Sequence, residues 1–145
     1  MEFLKASKED LKDIIEIENE SFHSPFPEDA FLYELNDNPF SRFYVCKMGD
    51  EIVGYIIFWI TFDSSTLCKI ATKVSKRKLG IAGFLLDKTI EMLKNEEVLT
   101  MTLEVRKSNE PAISLYKKYG FEYVLTKEKY YDDGEDALYM MKGIY

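Results

Sequence analysis

The chain is 145 residues long, 46% apolar and 31% charged, with a formal net charge of -7 at neutral pH. That length suits a single domain, 1–145, with a sizeable core, and the composition is that of a folded chain. The acidic balance argues against nucleic acid as a partner and no apolar run is long enough to span a bilayer. Two cysteines and one histidine leave little for a disulfide framework, a metal site or a Ser-His-Asp triad.

The amino terminus, MEFLKASKED, lacks a basic stretch followed by an apolar one, so a cytoplasmic protein is expected. A first strand is predicted from Glu2 to Ala6. Ser7 and Asp10 then stand at capping-box spacing before a helix that carries Leu11, Ile14, Ile15 and Ile17. A short helix follows Pro27, through Phe31 and Leu35. The stretches Phe43 to Lys47 and Glu51 to Thr61 flank Gly49-Asp50, a hairpin turn. Thr66 to Val74 is rich in β-branched residues and reads as a strand, and Ile81, Leu85, Ile90 and Leu93 mark a helix over 81–94. A strand from Leu99 to Val105 comes next. The last helix starts near Asn109, with Pro111 in its first turn and Gly120 just past its end. Two strands, Phe121 to Tyr131 and Ala137 to Met141, close around Asp133-Gly134. The order β-α-α-β-β-β-α-β-α-β-β is that of a mixed α/β domain with a parallel pair around the main helix.

The junction Arg77-Lys78-Leu79-Gly80-Ile81-Ala82-Gly83 joins a strand to a helix. The first helical N–H groups lack intrahelical acceptors and the helix dipole adds positive potential, so this turn is a candidate anion site. Gly80 and Gly83 permit close approach to its backbone. It is neither G-x-x-x-x-G-K-[ST] nor G-x-G-x-x-G, which disfavours a nucleoside triphosphatase or a dehydrogenase. Lys69, Lys73, Lys76, Arg77 and Lys78 crowd around it on an otherwise acidic chain. Such a run reads either as a solvated basic face or as focused potential for a small anion such as a pyrophosphate. Cys46 and Cys68 fall in predicted strands without C-x-x-C spacing and read as structural thiols.

The element order, the R-x-x-G-x-A form of Arg77 to Ala82 and the downstream LEVRKSNEPAISLYKKYGF together resemble the GNAT family of acetyl-CoA-dependent N-acetyltransferases, over nearly the whole chain. Three further segments resemble its protein amino-terminal branch, the ribosomal-protein alanine type and its archaeal relatives. They are Ile17-Glu18 with Pro25-Phe26, Leu103 to Arg106 with Ser108-Asn109, and Tyr130 to Ala137. The resemblance implies a GNAT-like, mostly antiparallel sheet flanked by helices, and acetyl-CoA as co-substrate with no metal. It also implies that Arg77, Lys78, Leu79, Gly80, Ile81, Ala82 and Gly83 bind the coenzyme pyrophosphate and that Ile70, Ala71 and Thr72 pair with the pantetheine arm. Asn109 matches a coenzyme-contacting asparagine and suits an N-cap equally well. Leu79 departs from the pattern, since many relatives carry a basic residue there.

Transfer of an acetyl group from a thioester to an amine needs a neutral amine, a proton acceptor, stabilisation of the oxyanion and protonation of the departing thiolate. An α-amine, of pKa roughly 7.7–8.0, is easier to deprotonate than a lysine at roughly 10.4. Glu104 alternates with the apolar Leu103 and Val105, which turns it to the other face of its strand, and the LEVR match favours it as general base. The match at Leu115-Tyr116 likewise favours Tyr116 as general acid. A backbone N–H near Ala71 or Thr72 is the expected oxyanion donor. Phe22, Pro25 and Phe26 in the first interhelical loop, and Tyr130 and Tyr131 in the last hairpin, are expected to shape the acceptor pocket. His23-Ser24-Pro25 stands where some archaeal and eukaryotic relatives carry leucine-proline-glutamate, which leaves Glu104 as base. The expected function is acetylation of a protein amino terminus, a ribosomal protein being one candidate target, by direct attack in a ternary complex. The alternatives are transfer to a lysine, a polyamine or another small amine, and an acyl-CoA-binding module without turnover.

Overall fold

A computed structural model describes residues 1–145. Seven strands form one sheet in the order β1-β2-β3-β4-β5-β7-β6. They are β1 (Glu2–Lys5), β2 (Ser41–Met48), β3 (Glu51–Thr61), β4 (Ser64–Thr72), β5 (Thr100–Arg106), β6 (Glu122–Lys127) and β7 (Ala137–Gly143). The helices are α1 (Leu11–Ser21), α2 (Glu28–Leu32), α3 (Ile81–Asn95) and α4 (Glu110–Lys118). Only β4 and β5 pair in parallel, across the α3 connection; every other pairing is antiparallel. The element order is the one the sequence predicts, and the sheet is mostly antiparallel. No helix is long and apolar enough to cross a membrane.

Both faces of the sheet are covered, and the interior strand β3 shows it residue by residue. Along β3, Tyr55 and Ile57 join the core under α1 and α2 with Ile14, Ile17 and Phe31. Ile56 and Phe58 join the opposite core, with Leu85, Leu86 and Leu93 of α3 and Tyr116 of α4. A strand buried on both sides has to be apolar almost throughout, and the segment Ile52 to Ile60 is. On β5 only one face is buried: Met101, Leu103 and Val105 enter the α3/α4 core while Thr102 and Glu104 turn to the α1/α2 side.

Two features of β4 set the geometry at the centre of the sheet. Its register against β3 passes from Lys69↔Ile57 to Leu67↔Phe58, so Cys68 is an extra, bulged residue. The bulge lets Cys68 and Lys69 both face α1 and α2, where strict alternation would separate them. The parallel ladder with β5 covers only Ser64–Thr66 against Thr100–Thr102. Beyond it the two strands are unpaired, and the side of β4 toward β5 offers backbone N–H and C=O groups without strand partners.

Some boundaries differ from the sequence prediction. β4 ends at Thr72 rather than Val74, because the Val74 N–H donates to a carboxylate oxygen of Glu20 in α1 at 2.8 Å and the chain turns into a 3-10 segment, Val74–Lys76. β6 ends at Lys127 rather than Tyr131, because Lys129 takes a positive φ of 51° and its N–H goes to Asp136 Oδ1 at 3.0 Å. Tyr130 and Tyr131 therefore lie in a loop.

Candidate acyl-transfer site

The turn at 77–83 has the geometry of an anion site with less net charge than the sequence suggests. Gly80 is the N-cap of α3 at φ +79°, a left-handed conformation that favours glycine. The first intrahelical bond runs from the Phe84 N–H to the Gly80 carbonyl at 2.9 Å, so the amides of Ile81, Ala82 and Gly83 have no intrahelical acceptor. The basic cluster, by contrast, is largely paired. Lys73 and Lys76 both reach Glu51, at 2.7 and 3.8 Å, and Lys69 is held by Glu18. Arg77 folds back, its guanidinium donating to Ser21 Oγ at 3.2 Å and to the Thr72 carbonyl at 3.4 Å. Anion attraction here rests on backbone amides more than on a lysine cluster. Gly83 also has a packing use. A Cβ there would stand 2.5 Å from the Tyr119 hydroxyl, so its missing side chain leaves room for that phenol beside α3.

On the α1/α2 side, the end of α1 is fastened to β4. Glu18 is fully buried and accepts from the Lys69 ammonium, the Phe26 N–H at 2.7 Å and the Tyr55 hydroxyl. The same Lys69 ammonium lies 3.9 Å from the ring centres of both Phe22 and Phe26. Burial, and then the carboxylate of Glu18, pushes the Tyr55 phenol far above its ordinary pKa, so it remains a donor. The loop of Phe22, Pro25 and Phe26 is thus held beside the unpaired stretch of β4. Pro25 and His23 are exposed. Cys68, on the same face, is pushed up to about 12 by burial and then by Glu34, which marks an inert thiol.

The loop of Tyr130 and Tyr131 is fastened to β5 in the same manner. Arg106 donates to Asp133 and Glu135 at 2.9 and 3.0 Å, and its guanidinium stacks 4.0 Å from the Tyr131 ring centre. Glu135 in turn accepts from the Ser108 N–H at 2.9 Å. Glu104 lies two residues before Arg106 and accepts from Lys127 Nζ at 2.7 Å, its side chain 22% exposed. The two aromatic loops therefore stand on either side of the gap between β4 and β5.

Tyr116 and Glu104 belong to opposite faces of β5. Tyr116 sits in the α3/α4 core, 7% exposed, its ring edge-on to Phe121 at 5.8 Å. Burial, and to a lesser degree Tyr131, raises its phenol well above the ordinary range, so it stays protonated. Burial likewise pushes the Tyr131 phenol up to about 12. Asn109 is the N-cap of α4, its side-chain oxygen accepting from the Ala112 N–H at 3.3 Å. No group of His, Cys, Asp and Glu is placed to hold a metal ion.

Sequence reasoning missed three of these contacts: Glu18 to Lys69, Lys127 to Glu104, and the Arg106 clamp. The pair of elements α1 and β4 is joined across 51 positions, and nothing local signals it. Arg106 had a signal, since a lone arginine ends β5 opposite an acidic hairpin, Asp132 to Asp136.

The chain is similar over most of its length to known proteins. The profile of the acetyltransferase (GNAT) family matches residues 11–121. A Bacillus subtilis protein provisionally named a [ribosomal protein bS18]-alanine N-acetyltransferase is 38% identical over 133 residues, 91% of this chain and 88% of that one. An N-alpha-acetyltransferase of Sulfurisphaera tokodaii is 35% identical, over 97% of this chain and 98% of its own length. The crystal structure of the ribosomal-protein-S18-alanine N-acetyltransferase from Escherichia coli superposes with a TM-score of 0.91 at 28% identity, covering 99% of this chain and 93% of that one.

Proposed function

The chain belongs to the acetyltransferase (GNAT) family and is an acetyl-CoA-dependent acyltransferase, and we propose that its acceptor is the amino-terminal α-amine of a protein. The observation that carries this is the gap between β4 and β5, flanked by two aromatic loops that are each locked to one of the strands. A gap of this form admits an extended chain from either face of the sheet. Relatives that share a third or more of their residues with this chain are named for amino-terminal acetylation, in one case of alanine on a ribosomal protein. A ribosomal protein is accordingly the first target to test. The whole of 1–145 is read as one N-acetyltransferase domain, since the site draws on β4, β5 and both end loops.

The residues suit the donor. The amides of Ile81, Ala82 and Gly83, with Gly80 and the side chains of Arg77 and Lys78, would hold the pyrophosphate, and Leu79 contributes through its backbone. The unpaired edge of β4 at Ile70, Ala71 and Thr72 would hold the pantetheine amides, and Asn109 closes that side. Acetyl-CoA supplies an acetyl group activated as a thioester. Phe22, Pro25 and Phe26 on one wall, and Tyr130 and Tyr131 on the other, position the acceptor so that its nitrogen reaches the gap. Glu104, on the acceptor face, takes the proton that the amine loses. Tyr116, buried on the opposite face and kept protonated, delivers a proton to the departing sulfur. An N–H of β4 near Ala71 or Thr72 meets the negative charge that develops on the carbonyl oxygen. No residue need become acylated, so transfer is direct. A peptide panel tests the assignment: free amino termini should release coenzyme A, and blocked peptides with internal lysines should not. Reaction of the blocked peptides alone would refute it.

A further inference from the structure

Glu104 is already engaged by an amine. Lys127 Nζ donates to Glu104 Oε1 at 2.7 Å, and the same ammonium lies 4.7 Å from the ring centre of Tyr139 and 5.4 Å from that of Tyr130. Sheet register builds this arrangement, since Tyr139 on β7 stands directly opposite Glu104 on β5, and Lys127 closes the end of β6. A carboxylate flanked by two aromatic faces is a box for a cation, and it discriminates by charge and size rather than by what carries the ammonium. The amino terminus of a protein brings the same group to the same carboxylate.

We propose that Lys127 is a tethered competitor, whose ammonium holds the acceptor's place in the Glu104–Tyr130–Tyr139 box and must swing out before an amino terminus binds. The inference rests on the reading of Glu104 as the acceptor's proton partner. Two observations support the exchange. The Lys127 side chain is 37% exposed on a flexible four-carbon stem, so its ammonium has a route to water. Its pairing with Glu104 also raises its pKa above the ordinary lysine value, which keeps it an ammonium and a poor nucleophile where an α-amine reacts. Lys127 thus keeps the box filled, and sets a threshold that only an acceptor with a free ammonium is repaid for crossing. Neutral or blocked chain ends gain nothing from displacing it.

Calorimetric titration of the full chain, saturated with coenzyme A, tests this without turnover. The probes are an alanine-initiated hexapeptide and its Nα-acetylated form, each titrated into wild type, Lys127→Met and Lys127→Arg. Lys127→Met should bind the free-amine peptide about two- to fivefold tighter, the scale of one exposed ion pair with its aromatic contacts. The acetylated peptide should bind wild type and Lys127→Met alike, and Lys127→Arg should match wild type. Unchanged or weakened binding of the free-amine peptide by Lys127→Met, or an equal shift for both peptides, would overturn the proposal. The reading of Glu104 as proton acceptor fails on a different result, full turnover by Glu104→Gln.

Discussion

The ammonium of Lys69 on β4 is bonded to the fully buried carboxylate of Glu18 on α1, and that bond lies beneath the rings of Phe22 and Phe26. Breaking a buried pair by removing one partner strands the other charge, at a cost of about 3–5 kcal/mol. Lys69→Met should fall at the lower end of that range, because Tyr55 and the Phe26 N–H still solvate the carboxylate. Urea denaturation measures the loss. A double variant, Glu18→Gln with Lys69→Met, should lose less than the sum of the two single changes. The surviving folded fraction of Lys69→Met should show a raised peptide KM with unaltered coenzyme affinity, since the loop and not the α3 turn is released.

Glu104→Gln should lower kcat by about 10²–10⁴, the span of a positioned general base, while coenzyme affinity stays at the wild-type value. Steady-state kinetics across pH checks it. Rates unchanged at every pH would remove Glu104 from the mechanism.

Tyr116→Phe keeps the ring against Phe121 and deletes only the hydroxyl. Stability should move little, whereas kcat should drop by about 10²-fold if that hydroxyl protonates the leaving sulfur. A donor with a less basic thiolate leaving group should recover part of the lost rate. Equal losses with both donors would point to packing.

Gly83→Ala brings a methyl group to within 2.5 Å of the Tyr119 hydroxyl, and the Tyr119 side chain must shift to receive it. Overpacking of this kind costs about 1–3 kcal/mol, against about 1 kcal/mol gained from helix propensity. Tyr119→Phe added to Gly83→Ala should restore most of any loss, because the next ring atom is 3.4 Å away. Thermal unfolding of the two variants, compared at equal pH, decides it.

Much of the frame was legible locally. Ser7 and Asp10 do form a capping box, the turn at Gly49-Asp50 joins β2 to β3, and Asn109 caps α4 with Pro111 in its first turn. Each is written in residues a few positions apart. What was not legible depends on distant partners. The bulge at Cys68 exists only in register with β3, and it turns Cys68 to the same face as Lys69. The β-branched Val74 continues a strand pattern, yet Glu20 captures its N–H and ends the strand early. Positive charge around the turn was visible, and its neutralisation by Glu51 was not.

The Arg106 clamp predicts a pH effect. The Glu135 N–H and then Arg106 hold the Asp133 carboxyl below its ordinary value of 3.8, and Ser108 and then Arg106 hold Glu135 below 4.5. Both pKa values are depressed by folding, so the clamp's contribution is complete above the ordinary values and fades as pH falls through the lowered ones. Hydrogen exchange of the Ser108 and Glu135 amides, which donate to Glu135 and Asp133, should accelerate, relative to the core, below about pH 4. Arg106→Met should show fast exchange at both about pH 4 and about pH 7. Exchange that ignores pH in the wild type would discount the clamp.

One peptide carrying both a free amino-terminal alanine and an internal lysine tests the acceptor assignment most directly, with the acetylated position mapped by fragmentation mass spectrometry after limited turnover. An amino-terminal acetyltransferase should place label on the α-nitrogen alone, lost together with activity in Glu104→Gln. Label on the lysine, with the α-amine left free, would contradict the assignment.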